Sequence, residues 1–266
     1  MGTICPFPRI PSWNCCPTPD ALESATEQAL KVKIKTALKN KKTPFIRQRI
    51  MICSGMANMI PREDLLGFYR QGVFPMAGPD GLRLFSPDPR GILPIKDFHV
   101  PHGTRRAWKA KGWELRVDSC FPEVMLACAE REETWIDETI FRSYVALHKA
   151  GHAHSVEIWS HGRLAGGLYG VRIGAAFFGE SMFHHVTDAS KIALCCLVAL
   201  LKRGGFQLLD IQWVTPHLSR FGAVEIPRAV YLRMLASAIG RPAEFQDPTL
   251  PRSTLDHLLE PGMRRA

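Results

Sequence analysis

Leu209-Asp210-Ile211-Gln212-Trp213 places a carboxylate and a carboxamide two positions apart. In a strand, alternate residues share a face, so Asp210 and Gln212 point one way and Leu209, Ile211 and Trp213 the other. Two polar groups on one face of an apolar strand are costly to bury without partners. They are either a working pair or residues held by a solvated edge and structural hydrogen bonds, and the pattern leaves both open. Gly179-Glu180-Ser181 poses the same choice, a carboxylate closing a very apolar strand. Thr104 to Trp113 interleaves Arg105, Arg106, Lys109 and Lys111 with Trp108 and Trp113. Phosphates attract Lys and Arg, and unpaired bases stack on aromatic faces. The competing reading is an amphipathic helix with Trp108 in the core.

Metal chemistry is weakly supported. Cys5, Cys15, Cys16, Cys53, Cys120, Cys128, Cys195 and Cys196 form no CxxC pair, and no HExxH motif is present. His152 and His154, two apart in Gly151-His152-Ala153-His154-Ser155, are better read as structural. Cys195 and Cys196 sit inside an apolar run, where free thiols act as small hydrophobes. A reduced, cytoplasmic protein without metal or cofactor is expected.

The elements that must position these residues follow from pattern. Leu22 to Leu38 is helix-permissive, and Lys39 to Pro44 breaks it. A helix starts after Pro61, a residue suited to a first helical position, and Gly72 ends it. Phe74 to Pro94, dense in Pro and Gly, reads as a loop with a domain junction near Arg90. An alternation then begins: strand Glu114 to Val117, helix Cys120 to Ala129, helix Ile140 to Ala150, and strands Ser155 to Trp159, Leu164 to Val171 and Ala175 to Glu180. Asp188 is placed to cap a helix from Ala189 to Arg203. Strand Phe206 to Val214 and helix Arg228 to Ile239 follow, and the chain after Gly240 reads as a loose tail. Consecutive strands, a helix and a further strand imply a mixed sheet with flanking helices, α+β in class.

The 266 residues carry 46% hydrophobic and 22% charged residues, ordinary for a globular protein and wrong for a wholly disordered one. The longest apolar run, Ile192 to Leu201, is ten residues. That is half of the ~20 a membrane-spanning helix needs. The N-terminus lacks a basic start followed by an apolar run, so no secretory signal is expected. Of the net charge of +9, residues 1–60 supply +6, and Lys31 to Arg49 holds eight basic residues and no acidic one. Such a run is a solvated arm or a phosphate-contacting element.

Seven ordered motifs then make the chain familiar. They are Ser86-Pro87-Asp88-Pro89-Arg90, Glu133-Thr134-Trp135-Ile136, Gly151 to Glu157, Gly166-Gly167-Leu168-Tyr169-Gly170-Val171, Phe178-Gly179-Glu180-Ser181-Met182-Phe183, Asp188-Ala189-Ser190-Lys191, and Phe221 to Arg228. Over roughly residues 62–240 this resembles the leucyl/phenylalanyl-tRNA–protein transferases. The resemblance implies transfer of Leu, also Phe and Met, from charged tRNA to the N-terminal Arg or Lys of an acceptor protein, marking it for degradation by an N-degron pathway. It implies a GNAT-like acyltransferase domain over residues 91–245, a remnant of the family's N-terminal domain over 61–90, a variable basic arm over 1–60 and a tail over 246–266. A monomer is expected.

Carried over by motif, Asp210 and Gln212 match the catalytic strand pair. The ester of an aminoacyl-tRNA is already activated, so the enzyme mainly positions an α-amine against it. Gln212 can accept a hydrogen bond from that amine, while Asp210 polarises the amide and stabilises positive charge. Glu180 falls in the aminoacyl pocket, where it could also recognise a cationic group. Trp135, Leu168, Phe177, Leu194 and Leu201 match the apolar pocket for the side chain and the terminal adenosine, and Met76 and Tyr144 count with the substrate-binding residues. Arg105, Arg106, Lys109 and Lys111 lie where the family has its tRNA-facing cluster.

Three departures stand out. Phe74-Pro75-Met76 replaces the long form's Phe-Pro-Trp, which loosens selectivity because Met is slimmer and more adaptable. The long form's GGDL motif is absent from residues 1–60, as in a short form. His184 replaces a Ser and is followed by His185, with no role assigned. An acyl-CoA transferase is a poor alternative, because Arg163-Leu164-Ala165-Gly166-Gly167-Leu168 fails the pyrophosphate loop pattern [QR]xxGx[GA] at Leu168. A non-catalytic tRNA-binding protein is the other alternative, and the intact Asp210 and Gln212 argue against it.

Overall fold

The computed structural model describes residues 51–52, 59–110, 112–131 and 133–245. The expected helix at Leu22 to Leu38, the basic run Lys31 to Arg49, Lys111 and the tail from 246 lie outside the described residues. A seven-stranded mixed sheet carries helices on both faces, with a three-stranded antiparallel sheet beside it. The class is α+β.

Helix α1 (Arg62–Arg70) starts at Pro61 and ends before Gly72, which takes a left-handed φ of 71°. Phe74 to Pro94 is not the expected loop. It forms β2 (Phe74–Gly78), β3 (Gly81–Phe85) and β4 (Arg90–Ile92), and β3 also pairs with β1 (Met51–Ile52). The prolines mislead because β2 is an edge strand, where Pro75 costs no central ladder bond.

After α2 (His102–Ala110) come β5 (Trp113–Val117), α3 (Phe121–Ala129) and α4 (Glu138–Lys149), the last capped by Asp137, which accepts from Ile140 N at 2.8 Å. Strands β6 (Ala153–Ser160), β7 (Arg163–Ile173) and β8 (Ala176–His184) form an antiparallel meander. Helix α5 (Ala189–Arg203), β9 (Leu208–Gln212), the short α6 (Pro216–Ser219), β10 (Val224–Ile226) and α7 (Arg228–Ile239) complete the order. Asp188 stands before α5 but caps nothing with its side chain; its carboxylate takes Lys191 Nζ at 2.6 Å instead. Nor is the chain after Gly240 loose at its start. Phe245 is buried and stacks on Phe177 and His154, and Glu244 N bonds Gly204 O at 3.0 Å.

The order across the large sheet is β10-β4-β9-β8-β7-β6-β5, with β8 and β9 parallel and every other pair antiparallel. One core cluster joins α1, β2 and β3 to α3, α4 and α7; the other packs α5 against the opposite face of the sheet. No described helix is long and apolar enough to cross a membrane.

Candidate active site

The site lies where β8 and β9 stop pairing. Their last parallel pair is Phe178 with Asp210. Beyond it each strand carries one extra residue. Tyr169 opposes Ser181 and Gly170 opposes Gly179, so Glu180 is the bulged residue of β8. Gly91 opposes Gln212 and Ile92 opposes Asp210, so Ile211 is the bulged residue of β9. Bulges bend a strand and re-aim side chains, and here they turn Glu180 and Gln212 toward the same side. Gly91 is needed for this: a Cβ there would lie 2.7 Å from the Trp213 carbonyl carbon.

Asp210 is fully buried and four donors converge on its carboxylate. Arg90 Nε reaches Oδ1 at 2.9 Å and Nη2 reaches Oδ2 at 2.6 Å, a bidentate pair. Tyr231 donates its hydroxyl to Oδ2 at 2.6 Å, and Gln212 its backbone N–H to Oδ1 at 2.9 Å. Arg90 is equally buried, gives Nη1 to Gly72 O at 2.9 Å, and lies against the Phe74 and Tyr231 rings. Burial works against its charge, but Asp210 outweighs that and holds the guanidinium above its ordinary pKa. Burial, then Asp210, pushes the Tyr231 phenol up, so it stays a donor.

The expected contact between Asp210 and the Gln212 amide is therefore replaced by one to the Gln212 backbone. That bond helps hold Gln212 at a left-handed φ of 57°, a conformation rare outside Gly, Asn and Asp. The twist has a second effect. Leu209 and Ile211 pack on the α5 side as expected, but Trp213 crosses over to meet Phe74 and Phe85 edge-on at 5.2 and 6.2 Å.

The Gln212 side chain turns to Glu180, with Nε2 at 3.5 Å from Oε1. Tyr69 donates to Glu180 Oε1 at 2.7 Å and Tyr144 to Oε2 at 3.4 Å, and the two hydroxyls touch each other. Burial raises the Glu180 carboxyl to about 8; the Asp210 charge adds to the rise, while Tyr69, Arg90 and Tyr144 oppose it. Tyr169 lines the same region with a buried hydroxyl that has no hydrogen-bond partner.

The structure thus joins Asp210, Gln212, Glu180 and Tyr144 through hydrogen bonds. Met76 and Trp135 pack on the same core cluster, their segments tied by Ala77 N to Trp135 O at 3.1 Å. Leu168, Phe177, Leu194 and Leu201 are placed elsewhere, buried on the opposite face of the sheet against α5. Arg105, Arg106 and Lys109 lie on α2, with Arg106 and Lys109 exposed. Trp108 and Trp113 are both buried, so neither offers a face to a base.

Sequence reading missed Arg90, Tyr69 and Tyr231. Tyr69 and Tyr231 fall inside predicted helices, where nothing local separates an aromatic of the site from one of the core. Arg90 sat among turn formers with nothing to mark it as buried. His154 is structural, its Nδ1 at 2.7 Å from Asp118 Oδ2. Glu157 is buried and accepts from Ser119 N, Cys120 N and Ser155 Oγ ahead of α3. Among the described residues no three His, Cys, Asp or Glu side chains gather to hold a metal.

A splayed strand pair with a carboxamide, a raised carboxyl and a locked carboxylate, and no activated nucleophile among them, suits transfer of an acyl group that arrives already activated. Comparison with known proteins makes the class definite: the chain is an aminoacyltransferase. The family model described as leucyl/phenylalanyl-tRNA protein transferase matches residues 92–236, and the chain belongs to that family. Relatives named leucyl/phenylalanyl-tRNA–protein transferase include one from Paramagnetospirillum magneticum, 54% identical over 68% of this chain and 90% of its own length. The one from Akkermansia muciniphila is 50% identical over 69% and 98%, and that from Herpetosiphon aurantiacus 46% over 71% and 100%. Among solved structures, the L-PGS of Bacillus licheniformis aligns over 68% of this chain and 71% of its own, at 12% identity and a TM-score of 0.36, too slight a likeness to carry an argument.

Proposed function

We propose that this enzyme transfers Leu, and also Phe and Met, from charged tRNA to the α-amine of proteins beginning with Arg or Lys, marking them for an N-degron pathway in the cytoplasm. It works as a monomer without a cofactor, on a GNAT-like domain over residues 91–245 preceded by the family remnant at 61–90. The family relationship supports the donor and the reaction class. One observation carries the mechanism: the Gln212 amide nitrogen is turned to Glu180 while Asp210 holds the Gln212 backbone, which leaves the amide oxygen available to an incoming amine.

The chemistry is aminolysis of an ester. The amine nitrogen forms a bond to the aminoacyl carbonyl carbon, the ester C–O bond breaks, and the ribose oxygen leaves with a proton while the amine loses one. An α-ammonium titrates near 7.7–8.0, and the Glu180 carboxyl at about 8 matches it, so proton transfer between them is close to thermoneutral. Gln212 Oε1 accepts from the neutral amine and fixes its line of attack. Asp210 and Arg90 touch no reacting atom in this scheme; they set the Gln212 backbone. Met76, Trp135 and Tyr144 flank the aminoacyl side chain, while Leu168, Phe177, Leu194 and Leu201 back the sheet from its other face and support the pocket through packing. Arg105, Arg106, Lys109 and Lys111 meet tRNA phosphates.

The test is to incubate the protein with a pool of charged tRNAs and peptides starting with Arg, Lys and Ala, then identify the added residue by mass. Leu on the Arg and Lys peptides, with lesser Phe and Met, is expected. Efficient transfer of Asp, or equal modification of the Ala peptide, would overturn the reading.

A further inference from the structure

A separate concavity of about 420 Å³ opens between one side of α2, the start of α5, and α6 with the residues that follow it. Its lining brings Arg106 from α2, Lys191 from α5, and His217 and Arg220 from the α6 segment into one place, against a single carboxylate, Asp188. That carboxylate is engaged by Lys191 at 2.6 Å. Asp188, at the N-cap of α5, is the one carboxylate at the two helix N-termini bordering the cleft, since neither α2 nor α5 has an acidic residue in its first turn. Three cations from three elements facing one cleft repel one another, and an anion between them relieves that.

His217 reports the same imbalance. Its Nε2 is buried without a partner, and burial, then Lys191, Arg220 and His184, push its pKa down. An anion in the cleft would put a negative charge beside the Lys191 and Arg220 cations and reverse the direction of that push.

The cleft is also near the reacting centre along the chain. His217 is five residues past Gln212, a span of at most ~18 Å at full extension. Stacked nucleotides rise ~3.4 Å each, so this covers about five positions of a single strand. We propose that the cleft binds a backbone phosphate of the donor tRNA's 3′-terminal strand, a few nucleotides upstream of the aminoacyl ester. This rests on charged tRNA being the donor and adds a site formed by Lys191, His217 and Arg220 to the exposed face of α2. Its function is register: a phosphate held here sets how far the ester reaches toward Gln212.

The experiment compares the full-length protein with the double variant Lys191→Gln/Arg220→Gln. Binding of uncharged tRNA is measured across a salt series, and the imidazole of His217 is titrated by NMR with and without a short oligonucleotide of the tRNA 3′ end. The variant should bind tRNA about tenfold more weakly, with a salt slope shallower by about 0.7 to 1.4, the value for one or two single-strand phosphate contacts. In the wild type the oligonucleotide should raise the His217 pKa, and in the variant it should not. Transfer from an aminoacyl-adenosine, which has no upstream phosphate, should suffer far less than transfer from charged tRNA. An unchanged salt slope, or equal losses with both donors, overturns the proposal. So does a His217 shift that inorganic phosphate reproduces while tRNA affinity is unaltered, the mark of an adventitious anion. If the wild type transfers nothing from any charged tRNA, the functional reading fails instead.

Discussion

Replacing Arg90 by Met tests whether the buried pair at the base of the site is what sets it. Arg90 and Asp210 are both fully buried, and Arg90 supplies two of the four hydrogen bonds on the carboxylate. Arg90→Met leaves Asp210 charged, with only Tyr231 and the Gln212 N–H to answer it. Breaking one side of such a pair costs about 3–5 kcal/mol, because a buried charge is stranded. Asp210→Asn strands Arg90 and should cost a similar amount. The double variant Arg90→Met/Asp210→Leu strands neither charge, so it should fall well short of the sum, with a coupling of about 2–3 kcal/mol. Urea unfolding at constant m-value is the assay. If Arg90→Met costs under ~1 kcal/mol, or if the two losses simply add, the pair does not lock the site. The double variant should fold and yet transfer poorly, because the bond that fixes the Gln212 backbone is gone.

Two other outcomes follow from the same geometry. The Glu180 carboxyl, at about 8 in the folded protein against its ordinary 4.5, prefers its proton when folded. Its contribution to stability is therefore full below pH 4.5 and is lost as pH rises through 8. Glu180→Gln removes that titration, so the variant should match the wild type near pH 4 and exceed it by about 4 kcal/mol at pH 8. A stability difference that does not change with pH would contradict the raised carboxyl. Met76→Trp puts a rigid wall beside Trp135 in place of an adjustable thioether. Competition between Leu-, Phe- and Met-charged tRNAs should then show a narrower choice, with ratios changed by about 10- to 200-fold, the limit for apolar discrimination. Unchanged ratios would place Met76 outside the pocket.

What the sequence discloses, and what it hides, follows from the range of each interaction. Helices α4, α5 and α7 and strands β6 to β8 are written in local periodicity and end signals, and they form close to where that pattern puts them. Glu180, Asp210 and Gln212 were visible because each breaks an apolar strand. Their geometry was not. Whether Glu180 faces solvent or the tyrosines depends on a one-residue bulge set by the pairing of β7 with β8. Likewise the direction of Trp213 depends on one backbone angle at Gln212, held by a side chain two residues away. Arg90 is the clearest loss. Its partner lies 120 positions along the chain, and the Pro and Gly around it read as a loop although they build a hairpin and a strand paired on both sides.

Gln212 is the residue on which the proposed chemistry turns. Single-turnover transfer from Leu-charged tRNA to an Arg-starting peptide, compared between the wild type and Gln212→Ala with tRNA affinity measured alongside, tests it most directly. Losing one positioned group at a reacting centre typically costs about 10²- to 10³-fold in rate. A loss of that size with tRNA affinity within about twofold is the predicted result, and equal rates in the two proteins would contradict the account.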